Sequence, residues 1–196
     1  MAAETTRLRL ATGLYALLEK KALHHISVRD IARESGLTRQ VFYRYFHTRD
    51  DLVRWIYLQD FSAAFSDCDT TDWNDMVLRM MMALQKRGNF YRRLVRSAED
   101  YTFYHIMRTY TDGLYRRILC FSAGTAPDPQ TDFLLQLYSG GGIEMSIAWV
   151  REGMGIPPET LRAWLLAGMP ERLRAGLTGF SFPTALISTG EPENLL

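Results

Sequence analysis

Residues Gly36 to Leu52 read GLTRQVFYRYFHTRDDL. Between Arg39 and Arg49 this segment holds five rings (Phe42, Tyr43, Tyr45, Phe46, His47) and four Arg or Gln side chains (Arg39, Gln40, Arg44, Arg49). Core helices carry few cations, and solvated helices carry few rings. On a helical wheel at about 100° per residue, Val41, Phe42, Tyr45 and Phe46 share one arc of about 140°. Arg39, Gln40, Tyr43, Arg44 and His47 fill the arc opposite. One face therefore packs on a preceding short helix, through Val28, Ile31 and Ala32. The other face is polar, planar and hydrogen-bonding.

Punctuation around the segment sets its neighbours. Ser27 caps a short helix with Asp30 three residues on, in a capping box, and Gly36 closes it. Thr38 caps the next helix, which ends near Phe46. Thr48 caps a longer one with Asp51 near its positive end, running toward Phe65. Two short helices joined by a turn at Ser35–Thr38 make a helix-turn-helix, whose second helix fits a DNA major groove of about 12 Å. Arg39 can fork onto guanine and Gln40 can pair with adenine. Tyr43 can reach a phosphate or a base edge. Ser27 and Thr38 place hydroxyls where phosphates would lie, with Arg29, Arg44 and Arg49 beside them. On spacing alone, a solvated Arg/Tyr face fits equally well. The first 61 residues hold ten Lys or Arg against seven Asp or Glu, a modest excess of three that favours a polyanionic partner.

Outward from this segment the helical period dominates. Leu8, Ala11, Tyr15, Leu18 and Ala22 recur at spacings of three and four, strand-like alternation is hard to find, and no internal repeat is visible. The chain reads as all-α. The stretch SDCDTTDW, Ser66–Trp73, reads as a boundary, dividing residues 1–66 from 67–196. Beyond it, helices are predicted at about 72–87, 89–96, 98–122, 128–152 and 158–175. The tail from Phe180, with two prolines, is expected to be irregular. A hydrophobic fraction of 47% and a net charge of +1 suit a globular protein and exclude a polycation. Two cysteines, Cys68 and Cys120, build no disulfide framework. A reduced, cytoplasmic setting is expected, because no signal peptide and no membrane span is visible.

The segment ISVRDIARESGLTRQVFYRYFHTRDDL, Ile26–Leu52, resembles the DNA-binding region of TetR-family transcriptional regulators. Phe42, Tyr43, Phe46 and Leu52 stand at the positions of that family's Phe-Tyr-x-x-Phe signature and the Leu that follows it. The likeness covers about residues 7–57. Tyr45 stands where His is common, Arg49 where Lys is usual, and Ser35 where Ala is common. The resemblance implies that Ser27, Arg29, Thr38, Tyr43, Tyr45 and Arg49 hold the DNA backbone while Arg39, Gln40 and Arg44 read bases. It also implies a C-terminal region that dimerises and often binds a ligand. Phe90–Leu119 and Leu137–Met154 more loosely resemble the branch that includes activators of dihydroxyacetone kinase operons, in which this region can work through a partner protein.

Two features beyond residue 67 carry weight of their own. Gly140, Gly141 and Gly142 interrupt a helical stripe of Leu134, Leu137, Tyr138, Ile143, Ile147 and Val150. Three glycines suggest close backbone contact, a kink or a plain helix break. With Leu161, Trp164, Leu165, Gly168 and Met169, the helices there suit a four-helix interface about a two-fold axis. Such a dimer presents two recognition helices about 34 Å apart and favours a palindromic operator. Met76, Met80, Phe103, Met107, Tyr110 and Met145 either line an adaptable site for an apolar or aromatic effector or belong to the core.

No His/Cys/acid cluster, phosphate loop or Ser elbow points to an enzyme, a metal or a cofactor. The expectation is a homodimeric regulator on double-stranded DNA, a repressor released by a ligand. The alternative is a protein-binding coregulator or activator that uses no small molecule.

Overall fold

The computed structural model describes residues 2–96 and 101–188. It is built almost wholly of helices. α1 (Ala2–Leu18), a short 3-10 turn (Leu23–His25), α2 (Val28–Glu34), α3 (Arg39–Tyr45) and α4 (Arg49–Ala64) form the N-terminal part. α5 (Trp73–Lys86), α6 (Gly88–Leu94), α7 (Thr102–Ala123), α8 (Pro129–Arg151), α9 (Pro158–Ala167), α10 (Glu171–Leu177) and α11 (Ala185–Ser188) follow. Among the described residues, no helix is long and apolar enough to cross a membrane.

α1 packs on α2, α4 and α6, and this sandwiching shifts its buried face from the expected stripe. Leu10, Ala11, Leu14, Leu17 and Leu18 are buried, whereas Leu8 is exposed and the helix ends before Ala22. The predicted final helix at 158–175 is two helices, because Pro170 lacks the N–H needed to continue the turn. The start of the predicted helix at 98–122 falls partly outside the described residues, as does the tail beyond 188. Residues 180–188 are ordered elements rather than irregular chain. β2 (Ser181–Pro183) pairs antiparallel with β1 (Thr70–Asp72), which lies in the stretch read as a boundary. Thr184 fastens the pair further, its N–H on the Asp69 carbonyl at 2.9 Å and its hydroxyl on that of Cys68 at 2.9 Å.

The core of the C-terminal part is aromatic and sulfur-rich. Trp73 is fully buried with its ring 4.5 Å from that of Tyr115, and Tyr57 of α4 lies 5.5 Å edge-on to Tyr110 of α7. α8 runs unbroken through its three glycines. Beside Gly140 lies the Arg108 side chain of α7: a β-carbon there would collide with its guanidinium. Arg108 pairs with Asp112 at 2.8 Å, and Asp112 also accepts from the Ser139 hydroxyl. The glycine thus makes room for an ion pair within α7, and the hydrogen bond from Ser139 to its Asp112 ties α8 to that helix, so the glycines are no break. Gly140→Ala displaces only the flexible end of Arg108 and is expected to shift stability in urea denaturation by no more than about 1 kcal/mol, the helix gain of alanine offsetting the disturbed ion pair. Gly142→Ala, whose β-carbon would meet Leu165 at an ordinary 3.5 Å, is expected to be neutral or stabilising.

Candidate nucleic-acid interface

The outward face of α3 depends on what holds α3 from behind. Phe42 is fully buried, and its ring lies 5.8 Å from that of Phe46, which in turn lies 6.0 Å from Trp55 of α4. Ile31 and Ala32 of α2 are buried beneath. The turn between α2 and α3 needs a left-handed residue, supplied by Gly36 at φ +64°. The Leu37 N–H closes it onto the Ala32 carbonyl at 2.8 Å. From α1, Arg9 donates to the Ser35 carbonyl at 3.0 Å. The Arg7 guanidinium lies 5.7 Å over the Tyr45 ring. These two cations orient the helix pair from 26 and 38 positions away, a role with no local sequence signal.

Each helix starts on a cap. The Ser27 and Thr48 hydroxyls accept from the N–H groups of Asp30 and Asp51, whose carboxylates accept in return, and Thr38 accepts from Val41 N–H at 3.3 Å. The Ser27 backbone N–H, with Lys21 and the Ser27 hydroxyl, holds the Asp30 carboxyl well below the usual range. Burial pushes Asp51 up, but Thr48 and Arg54 outweigh it and its net shift is also downward. A carboxyl lowered by folding adds stability above its unfolded pKa and loses it as pH falls through the folded value. The urea midpoint is therefore expected to hold from pH 7 to about 5 and to fall below about 4, with a shallower fall in Asp30→Asn/Asp51→Asn.

Facing solvent are Arg39, Gln40, Tyr43, Arg44 and His47, with Tyr43 53% exposed despite its size. Arg29, on α2, and Ser27 and Thr38, at the helix starts, are exposed on the same helix pair. Arg29, Arg39, Gln40 and Arg44 have no hydrogen bond or ion pair within the described chain. They are donors without an internal use. Tyr45 is half-buried under Arg7 and presents only an edge. Arg49, expected to hold the DNA backbone, has its donors engaged within the protein. Its guanidinium donates to the carbonyls of Leu23 at 2.6 Å and Ile26 at 3.4 Å and pairs with Asp50 at 2.9 Å. It fastens the start of α4 to the 3-10 turn, because burial beside those carbonyls consumes its donors.

The residues named for an effector site divide. Met80 and Met107 line a cavity of about 40 Å³ within the C-terminal helices, with Met81, Tyr115, Tyr138 and Leu165 among its other walls. That volume holds a few water molecules and falls well short of the roughly 300–1,000 Å³ of small-molecule sites. Met76, Phe103 and Tyr110 are buried in the core instead, with the Tyr110 hydroxyl donating to the Ile187 carbonyl at 2.9 Å. Met145 points to solvent and lines no such cavity: its place on α8 puts it on the face away from the core.

A capped helix-turn-helix with an uncommitted basic face, set on a larger helical body, defines a DNA-binding regulator. Comparison with known proteins agrees. A profile described as bacterial regulatory proteins, tetR family, matches residues 13–56. A TetR profile described as transcriptional regulator C-terminal region matches residues 71–167. The chain belongs to the TetR family of transcriptional regulators.

Among curated proteins it is similar to the HTH-type dhaKLM operon transcriptional activator DhaS of Lactococcus lactis subsp. lactis (strain IL1403), 28% identical over 111 residues. That match takes in 56% of this chain and spans 58% of the relative's length. Solved structures share the fold. The dihydroxyacetone kinase operon activator DhaS has a TM-score of 0.59 at 20% identity, covering 88% of this chain and 98% of the other. A TetR transcriptional regulator from Streptococcus agalactiae 2603V has a TM-score of 0.62 at 18% identity, covering 87% and 96%.

Proposed function

We propose that the chain is a homodimer that binds a two-fold symmetric operator, α3 of each subunit entering successive major grooves. The observation that carries this is the set of free donors on α3, held by a buried ring on the opposite side. In this reading Arg39, Gln40 and Arg44 contact base edges. Ser27, Arg29, Thr38 and Tyr43 contact the backbone, and Tyr45 does so at its exposed edge. Arg49 acts indirectly, by fixing α4. Residues 1–66 form the DNA-binding part and 67–196 the dimerising part, working in the cytoplasm. Recovery of bound fragments from random DNA tests the reading: a palindromic consensus is expected, with affinity falling steeply as salt rises. A coregulator that has lost DNA binding would recover no consensus at low salt.

Dimerisation is assigned to α8 and α9. Phe133, Leu137, Gly141 and Met145 fall at four-residue spacing on α8, the three large side chains between 53% and 65% exposed. On α9, Trp164 is exposed as well. The two helices touch where the Tyr138 hydroxyl donates to the Leu165 carbonyl at 3.0 Å. Exposed apolar ridges of this kind mark interaction surfaces. Leu137→Glu is expected to convert the dimer to a 22.6 kDa monomer in light scattering and to weaken operator binding at least tenfold. A parent chain that is already monomeric would overturn the assignment.

Repression by operator occupancy, relieved by an effector, is the default mechanism. A second reading, activation without a core ligand, is favoured by two observations: the cavity holds only a few waters, and the curated relative is an activator. A reporter fused to the recovered operator separates them. Under repression deletion of the chain raises expression, and under activation deletion lowers it.

A further inference from the structure

We propose that an open groove between α1, the α5–α6 turn and the end of α8 is a binding site for a small organic anion with an apolar body. The groove has a volume of about 550 Å³, within the range of about 300–1,000 Å³ for small-molecule sites. It is distinct from the narrow core cavity and from the α3 face, sharing no lining residue with either.

Its walls combine three cations with apolar surface. Lys86, Arg87 and Arg92 line it, and no carboxylate does. Arg87 is already committed. It pairs with Asp60 at 3.3 Å and donates to the Tyr15 hydroxyl. Lys86 makes no hydrogen bond or ion pair within the described chain, its charge being felt only by Asp60, and Arg92 has only the neutral Asn89 carbonyl oxygen at 3.0 Å. Asp60 alone thus answers both Lys86 and Arg87, and Arg92 has no acid partner; this excess of cations suits a carboxylate or phosphate ester.

The apolar half comes from Phe90 and Tyr15, packed edge to face at 4.6 Å, and from Met154. Met154 is the single non-glycine residue at positive φ among the described residues, at +58°. Its terminal methyl occupies the space that a β-carbon on Gly88 would take, 2.5 Å away. A side chain held in a sparsely populated backbone region to form a wall is the pattern of strain kept at binding sites. Because Tyr15 belongs to α1 and the other walls to the C-terminal part, an occupant touches both parts of the chain. An effect on operator affinity would follow; this consequence rests on the DNA-binding reading, while the site itself does not.

Calorimetric titration of the full chain with phenyl phosphate, phenol and inorganic phosphate tests the site without DNA. Saturable phenyl phosphate binding with a Kd of about 1 mM or tighter is expected, with phenol and inorganic phosphate each at least tenfold weaker. In Lys86→Gln/Arg92→Gln, both exposed positions, phenyl phosphate affinity is expected to fall at least tenfold with an unchanged circular dichroism spectrum and melting curve. No saturable binding by the parent, undiminished affinity in the folded double variant, or inorganic phosphate binding as tightly as its phenyl ester would each overturn the proposal. Operator binding measured separately, with and without phenyl phosphate, reports on the DNA reading alone.

Discussion

Arg39→Ala/Tyr43→Ala is expected to abolish specific operator binding while leaving the urea midpoint unchanged. Both side chains face solvent, and Arg39 has no partner inside the protein, so removing them leaves no buried group unsatisfied. Surface changes of this kind move stability by about 0.5 kcal/mol at most. Binding is another matter. A forked Arg–guanine contact is worth about 1–3 kcal/mol, and a phosphate contact contributes on a similar scale. A two-fold complex loses each contact twice. Even 1 kcal/mol per side chain per subunit comes to about 4 kcal/mol, roughly a thousandfold in Kd. Fluorescence anisotropy at fixed salt measures it, and parent-like affinity would remove these residues from the interface. Arg39→Ala alone is expected to relax base preference at one position of each half-site, whereas Tyr43→Ala alone is expected to weaken all sequences alike.

Phe42→Ala is expected to destroy binding by the opposite route. The ring is fully buried among Phe46 and the α2 contacts, and truncating such a residue costs about 3–5 kcal/mol. That is a large share of the stability of an ordinary domain, about 5–15 kcal/mol. The urea midpoint should fall sharply and α3 should lose its fixed orientation. Phe42→Leu, which keeps most of the volume, should recover much of the loss. The two experiments together separate the faces of one seven-residue helix: outward changes lose DNA at constant stability, and the inward change loses both. A stable Phe42→Ala protein with a parent-like midpoint would show that the ring does not anchor α3.

The helix-turn-helix is legible in the sequence because its determinants are local. Caps at Ser27, Thr38 and Thr48 lie three residues from their partners, and the alternation of Phe42 and Phe46 with Arg39 and Tyr43 falls within two helical turns. What escaped depends on distant neighbours. Arg49 looks like a free cation until the carbonyls of Leu23 and Ile26 are placed beside it. Gly140 looks like a weakness in α8 until Arg108 is seen filling its space. Met145 shares its residue type with the buried Met76 and Met80, and only the rotation of α8 separates them. Pro170 ends α9 against the longer apolar period, because it lacks the N–H that would continue the turn. The paired strands β1 and β2 are three residues each and lie more than a hundred positions apart, too short for alternation to register.

That pairing bears on biosynthesis. Thr70–Asp72 follows directly on the N-terminal helices, and its hydrogen-bonding partners are residues 181–184. A nascent chain therefore leaves the backbone of this passage unpaired until residues 181–184 have been made. Helices α2 to α4, closed by short-range contacts, can form before that, whereas this long-range pairing waits for the later segment.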